Sequence, residues 1–363
     1  MTGDYHFYGA PISYFSGKLR FYLQLKRIPY IDHCADMDVF EKIIMPRVGL
    51  PFIPVLITPG DETLQDTTDI IDYLEEHHPD RELMPADPQI ALLMRLMELW
   101  VDEFLINPGL TMRWSMDENL EWVYEEFGRV AFHHKRGIQV RAFGEKQAQR
   151  IMRYMPKLGF DDPALVKACR YVFDGLLSRF ETLLKQRDFL LGNTPCLGDV
   201  YLMGPIYAHW MQDPATAALV RQNYHYVAMW ADRMLTANAQ AHSQDWTVDE
   251  LALDLLAEAG RGFGKMMLQG AQALDGMLSQ LSSGDELPRG GPSIDSMILN
   301  APVTRKANPY WFYKYQRVWE AWQKVQDPES CKPMLNAMGV YELVTYQTER
   351  RVAKDEKGKL VVG

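Results

Sequence analysis

The sequence predicts an α/β domain at the N-terminus followed by an all-helical chain. Three observations carry this. Apolar runs over residues 5–74 come in the order strand, helix, strand, hairpin, helix. A segment rich in proline and charge, Pro79 to Pro88, then reads as a linker. From Gln89 onward apolar residues recur at three and four, and no convincing strand returns before the tail.

Tyr5 to Tyr8 is a short aromatic strand, broken by Gly9 to Pro11. Ser13 to Leu25 follows with helical spacing through Phe15, Leu19, Tyr22 and Leu25, and Pro29 ends it. Tyr30 to Ala35 is a second strand, parallel to the first because a helix crosses between them. Pro54 opens the apolar run Val55 to Ile57, and the turn pair Pro59-Gly60 separates that run from Thr63 and Leu64. Pro54 has no N–H to give a ladder, so the backbone beside it is an edge or is left exposed. Gln65, Asp66 and Thr67 then lead into a helix with Ile70, Ile71 and Leu74 on one side. A polar trio there suits a carboxylate, because free N–H groups and the helix dipole both favour an anion. Asp and Thr are also good caps for any helix.

Leu92, Leu96, Leu99, Trp100 and Phe104 make a helical stripe that Asn107, Pro108 and Gly109 are expected to interrupt. Asp117 to Phe160 is helical but polar, with His133, His134, Lys135 and Arg136. Adjacent histidines point to different faces, so a surface segment is expected there rather than a metal pair. Pro163 to Gln186 is a long helix buried along Leu165, Cys169, Val172, Leu176, Phe180 and Leu183. Asp188 to Leu202 leads into the next helix, with Cys196 three residues before Asp199, where a capping box wants a hydroxyl. Thr194, ahead of Pro195, is the alternative cap. Tyr226 to Met234 carries an aromatic and apolar stripe that reads as packing. Val248 to Leu281 is helical, with glycines at 260, 262, 264 and 270 that either allow close packing or split the element. Gly284 to Pro292 is a loop. Tyr310 to Lys324 is a helix striped by Trp311, Tyr315, Val318 and Trp322, expected to dock on the helical domain rather than cover a cleft. Lys354 to Val361, with Gly358, reads as a small hairpin.

A net charge of −10 argues against nucleic acid as a partner, and the basic pairs Lys135-Arg136 and Arg350-Arg351 are too short to change that. Cys34, Cys169, Cys196 and Cys331 are scattered without a CxxC, which fits a reducing compartment. The N-terminus lacks a signal pattern and no apolar run approaches the ~20 residues of a membrane span. The expectation is a soluble, cytoplasmic protein without a membrane partner. There is no HExxH, no P-loop and no GxGxxG after a strand, and no metal is expected.

Ile53-Pro54 with Asp66-Thr67 closely resembles the glutathione transferase superfamily, and the segments 188–202 and 226–234 resemble its central and penultimate helices. The resemblance covers the first 240 residues. It implies a thioredoxin-like domain over 1–80 and an all-helical domain over 89–240; beyond it, residues 241–363 read as an unusual, mostly helical extension expected to pack on the second domain. It also implies a cis Ile53–Pro54 bond, pairing of the Ile53 backbone with the cysteinyl part of glutathione, and a γ-glutamyl group held by Asp66 and Thr67 beside Gln65. Ser13-Tyr14-Phe15-Ser16-Gly17-Lys18-Leu19-Arg20 is similar to the Ser-x-x-Ser-x-Lys/Arg-x-Arg pattern of serine-type members. On that match Ser13 is the catalytic serine, with Ser16 one turn on, Tyr14 as understudy, and Tyr8 where tyrosine-type members carry their hydroxyl. Lys18 and Arg20 either steer the anionic tripeptide or are solvated. Ser13 is also a natural N-cap.

The chemistry needs a thiolate. A free thiol titrates near 8.5, and lowering that by about two units takes roughly 2.7 kcal/mol of preferential thiolate stabilisation. A hydroxyl donor at a helix N-terminus supplies such stabilisation. No cysteine lies in the segment, which disfavours mixed-disulfide chemistry. The resemblance therefore implies attack of glutathione, as co-substrate, on an apolar electrophile of the kind met in detoxification, by a homodimer. Trp114, Tyr207 and the extension are the candidates for contacting the second substrate. The alternatives are a glutathione-dependent isomerase, lyase or peroxidase, or a binding or scaffold protein of the same fold without turnover.

Overall fold

β1 (Tyr5–Gly9) forms at the aromatic run, and Ser13 caps the helix that follows, α1 (Tyr14–Leu25), accepting the Ser16 N–H at 3.2 Å. The computed structural model describes residues 3–153, 155, 162–237, 246–259, 261–288, 290–348, 350–355 and 358–363. β2 (Tyr30–Cys34) returns parallel to β1. The short helices α2 (Met37–Val39) and α3 (Met45–Val48) flank a π-helical turn at Phe40–Ile44. β3 (Val55–Ile57), β4 (Thr63–Gln65) and α4 (Thr67–His77) complete the domain. Strand order is β2-β1-β3-β4, with β3 antiparallel to both neighbours. This is the expected thioredoxin-like sheet ahead of a helical domain.

The helical part runs α5 (Pro88–Trp100), α6 (Ile106–Trp114), α7 (Asp117–Ala131), α8 (Ile138–Met152), α9 (Pro163–Leu184), α10 (Leu197–Pro205), α11 (Pro214–Asn223) and α12 (His225–Thr236). Asn107-Pro108-Gly109 does not break the α5 stripe as expected. A π-helical turn, Val101–Leu105, leads straight into α6. Pro108 has no N–H for the carbonyl four residues back, and the Asn107 side-chain amide donates to that Phe104 oxygen at 2.7 Å instead. The polar histidine region is the α7–α8 hairpin, its end at 156–160 lying outside the described residues.

Past residue 247 come α13 (Glu250–Ala259), α14 (Phe263–Leu278), β5 (Ser293–Ile298), β6 (Ala301–Lys306), α15 (Pro309–Gln323), α16 (Pro328–Ala337), α17 (Tyr341–Thr345), β7 (Val352–Lys354) and β8 (Leu360–Val362). The glycines both split and pack. Gly262, at φ 90°, starts α14, and a Cβ on Gly270 would lie 2.9 Å from the Trp311 ring. Gly260 lies outside the described residues. The β5–β6 hairpin contradicts the expectation of no strand before the tail. Its signals are weak: Pro302 sits inside a strand, and the turn places Leu299 at φ 53° where glycine is usual.

The chain forms two compact units that interleave in sequence. The first comprises Met1–Met84, Gly109–Tyr154 and Phe180–Thr247, and the second Pro85–Pro108, Met155–Arg179 and Val248–Gly363. In the first, α1 packs on α10 and α12. Asp199 of α10 is fully buried and accepts from the Leu190 and Cys196 N–H groups at 2.9 and 3.0 Å and from Trp230 Nε1 at 2.8 Å. Cys196 thus stands at the cap and its thiol donates to Asp199, whereas the buried Thr194 hydroxyl makes no hydrogen bond. In the second unit α15 lies on α5 and α14, burying Trp311, Tyr315 and Val318. Lys314 on the same helix donates to Asp102 Oδ2 at 3.0 Å and pairs with Glu103 Oε1 at 3.2 Å.

Candidate functional site

The sheet register brings the sequence-predicted residues to one place. Tyr8 pairs with Val55 and Val55 with Gln65, while Gly9 pairs with Cys34. The last residues of β1, β2 and β4 and the approach to β3 therefore share one end of the sheet. Ser13 follows β1 there, Ile53 and Pro54 precede β3, and Asp66 and Thr67 follow β4. None of these groups could be placed together from local spacing alone.

Ile53–Pro54 is a cis bond. Ile53 lies outside the strand ladder, and its backbone groups bond to no other backbone among the described residues. Asp66 caps α4 from a left-handed conformation (φ 82°), accepting the Thr68 N–H at 2.9 Å. Thr67 and Thr68 are buried, yet neither hydroxyl oxygen has a hydrogen-bond partner. Two unsatisfied buried hydroxyls at a helix start are costly unless something polar meets them. The donor set fits a carboxylate with an adjacent amine: helix N–H groups and hydroxyls for the anion, and the Asp66 carboxylate for the cation.

Ser13 is half-buried, and its Oγ accepts from Ser16 N, which leaves its O–H proton to be donated elsewhere. Ser16 is fully buried, and its Oγ accepts the Ala10 N–H at 3.2 Å, so it holds the loop. Tyr14 is buried, its ring edge-on to His209 with centroids 5.3 Å apart. Tyr8 is buried against Ala35, Ile44, Val55 and Ile57 and stacks on His33 at 4.6 Å, and burial pushes its hydroxyl up. Lys18 is fully buried with its ammonium 5.0 Å from the Tyr201 ring centre, and Arg20 pairs with Asp32 at 2.7 Å. Neither is a freely solvated charge.

Cys34 also reaches this end of the sheet, which its sequence position does not reveal. Its thiol points to the Val130 carbonyl at 3.7 Å, and burial, with Asp36 nearby, pushes it up and keeps it protonated. Trp114 stacks near Phe127, with centroids 6.2 Å apart, and Tyr207 meets Phe21 edge-on at 5.0 Å.

Sequence reasoning missed Arg113. Its guanidinium forms two 2.7 Å bonds to Asp213 and donates to the Ile12 carbonyl at 2.9 Å, all buried. The only local signal is a charge between Met112 and Trp114, in an otherwise apolar turn. The same guanidinium lies near buried His209, whose imidazole is held well below its ordinary value first by burial and then by that charge. Among the described residues no three His, Cys, Asp or Glu side chains converge as a metal site, and no helix is long and apolar enough to cross a membrane.

Residues 7–82 match the family model for the glutathione S-transferase N-terminal domain, and residues 150–238 match the one for the glutathione S-transferase C-terminal domain. Among curated proteins nothing matches significantly. Solved structures similar to this chain include a glutathione S-transferase from Methylobacterium radiotolerans in complex with glutathione sulfonate. It is 21% identical, covers 68% of this chain and 100% of its own, and has a TM-score of 0.40. The β-etherase LigF from Sphingobium is 19% identical over 65% of this chain and 97% of its own, at a TM-score of 0.47. FzlA from C. crescentus is 16% identical over 70% of this chain and 99% of its own, at 0.40.

Proposed function

This chain belongs to the glutathione transferase superfamily, and from that premise we propose that it binds glutathione at the shared sheet end and adds its thiolate to an apolar electrophile. The observation that supports this most is the convergence of Ser13, the Ile53 backbone and the Asp66–Thr67 helix start on one end of the sheet.

Bound glutathione supplies the sulfur nucleophile. Thr67 and the first N–H groups of α4 bind the γ-glutamyl carboxylate, and Asp66 with Gln65 takes the amine. The Ile53 backbone pairs with the cysteinyl amide as an added strand would. Ser13 donates its O–H to the sulfur once the thiol proton has left to solvent, and the N-terminal end of α1 adds its field. The held thiolate then forms the carbon–sulfur bond, and the electron pair passes to the electrophile or its leaving group. A homodimer belongs to the same reading; Met37, Met45 and Phe52, all exposed, offer apolar surface for it. A cytoplasmic setting belongs to it too.

The test is titration of glutathione bound to wild type and Ser13→Ala, followed by thiolate ultraviolet absorbance, with turnover of an electrophile panel alongside. The proposal expects a lowered thiol pKa that depends on Ser13. Glutathione bound with no thiolate shift and no turnover would instead favour a binding protein of this fold.

A further inference from the structure

We infer that Arg113 is a positioning residue for the Ser13 hydroxyl, holding the β1–α1 loop by its Ile12 carbonyl. The inference rests on the glutathione reading above. Three bonds that shape this loop are local: Ser13 N–H to the Ala10 carbonyl at 3.1 Å, Ala10 N–H to Ser16 Oγ, and Ser16 N–H to Ser13 Oγ, while the Ala35 N–H to Gly9 carbonyl bond at 2.8 Å holds the end of β1. Local bonds fix the shape of a turn and leave its placement against the rest of the molecule open. Arg113 comes from 101 positions away.

The guanidinium is a rigid planar fork. Two of its donors are committed to the Asp213 carboxylate, so the direction of the third, toward Ile12 O, is set. Arg113 is 4% exposed and Asp213 1%. Burying such a pair is weak support for stability, because desolvation offsets most of the attraction and apolar replacements often do as well. Its geometry instead fixes the carbonyl that immediately precedes Ser13. Ser13 must meet a sulfur within hydrogen-bond reach, and a displacement of about 1 Å at a reacting group costs on the order of 10²-fold in rate. Lysine at this position keeps the charge and reaches one partner, but lacks the fork.

The experiment compares wild type, Arg113→Lys and Ser13→Ala. Three readouts are taken: glutathione Kd, the pKa of the bound thiol, and hydrogen exchange of the amides from Ala10 to Gly17. The inference expects R113K to keep Kd within about twofold, to raise the bound-thiol pKa by about one unit, and to lower kcat by about tenfold. It also expects amide protection to fall at 10–17 while α10 and α12 keep theirs. A purely structural role would lower the melting temperature and leave the thiol pKa of the folded fraction where it was, which would overturn the inference. Should wild type bind no glutathione, the earlier reading fails and this one with it. Should S13A shift the thiol pKa and R113K not, only the present inference fails. If R113K does not fold, wild-type exchange decides: Ser13, Ser16 and Gly17 amides as protected as those of α6 support the clamp, and markedly faster exchange there overturns it.

Discussion

Ser13 Oγ does two things with one atom: it accepts the Ser16 N–H and keeps a proton to give. Removing it therefore has two separable consequences. Ser13→Ala is expected to cost about 1 kcal/mol in urea unfolding, as the loss of a cap does. It is also expected to lower kcat at neutral pH by roughly 10²-fold, as the loss of one preorganised donor does. A rate unchanged beside the expected stability loss would reduce Ser13 to a cap. His209 gives a prediction in pH. Its folded-state value is depressed below 6.5, so its contribution to stability is full above that pH and lost as pH falls below it. Wild type is therefore expected to lose stability between pH 7.5 and 5.5, as the unfolded imidazole takes up a proton that the folded one refuses. Burial raises the carboxyls of Asp199 and Asp213, so acidification works on them in the opposite sense. The difference between wild type and His209→Gln isolates the imidazole, and equal slopes would contradict its assignment. Ser13, Ile53 and Asp66 were placed at helix and strand ends by local spacing, which is why the sequence discloses their positions. Arg113 was not, because the bond that matters joins residues far apart in the chain.

Elements show where local rules lose to packing. In the α7–α8 hairpin a Cβ on Gly144 would overlap the Tyr124 carbonyl and come within 2.5 Å of Gly128 N. Backbone cannot yield as a side chain can. Gly144→Ala should therefore push the two helices apart, costing on the order of 1–3 kcal/mol and lowering exchange protection in α7 and α8 first. Uniform loss across the first unit would contradict this. Asp199 satisfies four buried donors: the Leu190 and Cys196 N–H groups, the Cys196 thiol and Trp230 Nε1. Asp199→Ala leaves them unmet and should cost about 3 kcal/mol or more, read as a lowered urea midpoint. The cap itself was visible in the sequence as the Cys196 to Asp199 spacing. The β5–β6 hairpin was not, because Pro302 and a left-handed Leu299 break the two rules by which hairpins are read. Likewise Pro108 looked like a stop, and only the Asn107 amide on Phe104 shows why the helix passes through it.

At the scale of the molecule, the extension is not an appendage to a finished structure. Lys314 supplies the ammonium for Asp102 and Glu103, both within the second unit. Lys314→Met should cost about 3–5 kcal/mol, because it takes the ammonium away from two buried carboxylates. Adding Asp102→Asn and Glu103→Gln should recover much of that loss in the same denaturation assay, and no recovery would contradict the pairing. Chain order suggested three successive segments; contacts group residues 85–108 and 155–179 with 248–363. A one-dimensional reading has no means to see such a grouping, since each stripe shows that a face is buried and not what buries it.

That interleaving sets an order of events on the ribosome. The first unit has all its parts once Thr247 has emerged, whereas the apolar side of α5, made early, must wait for the polypeptide behind it. At typical translation speeds the delay is on the order of ten seconds. For that interval a nascent chain displays Leu92, Leu93 and Leu96 to solvent, the sort of surface that holdase chaperones are built to shield.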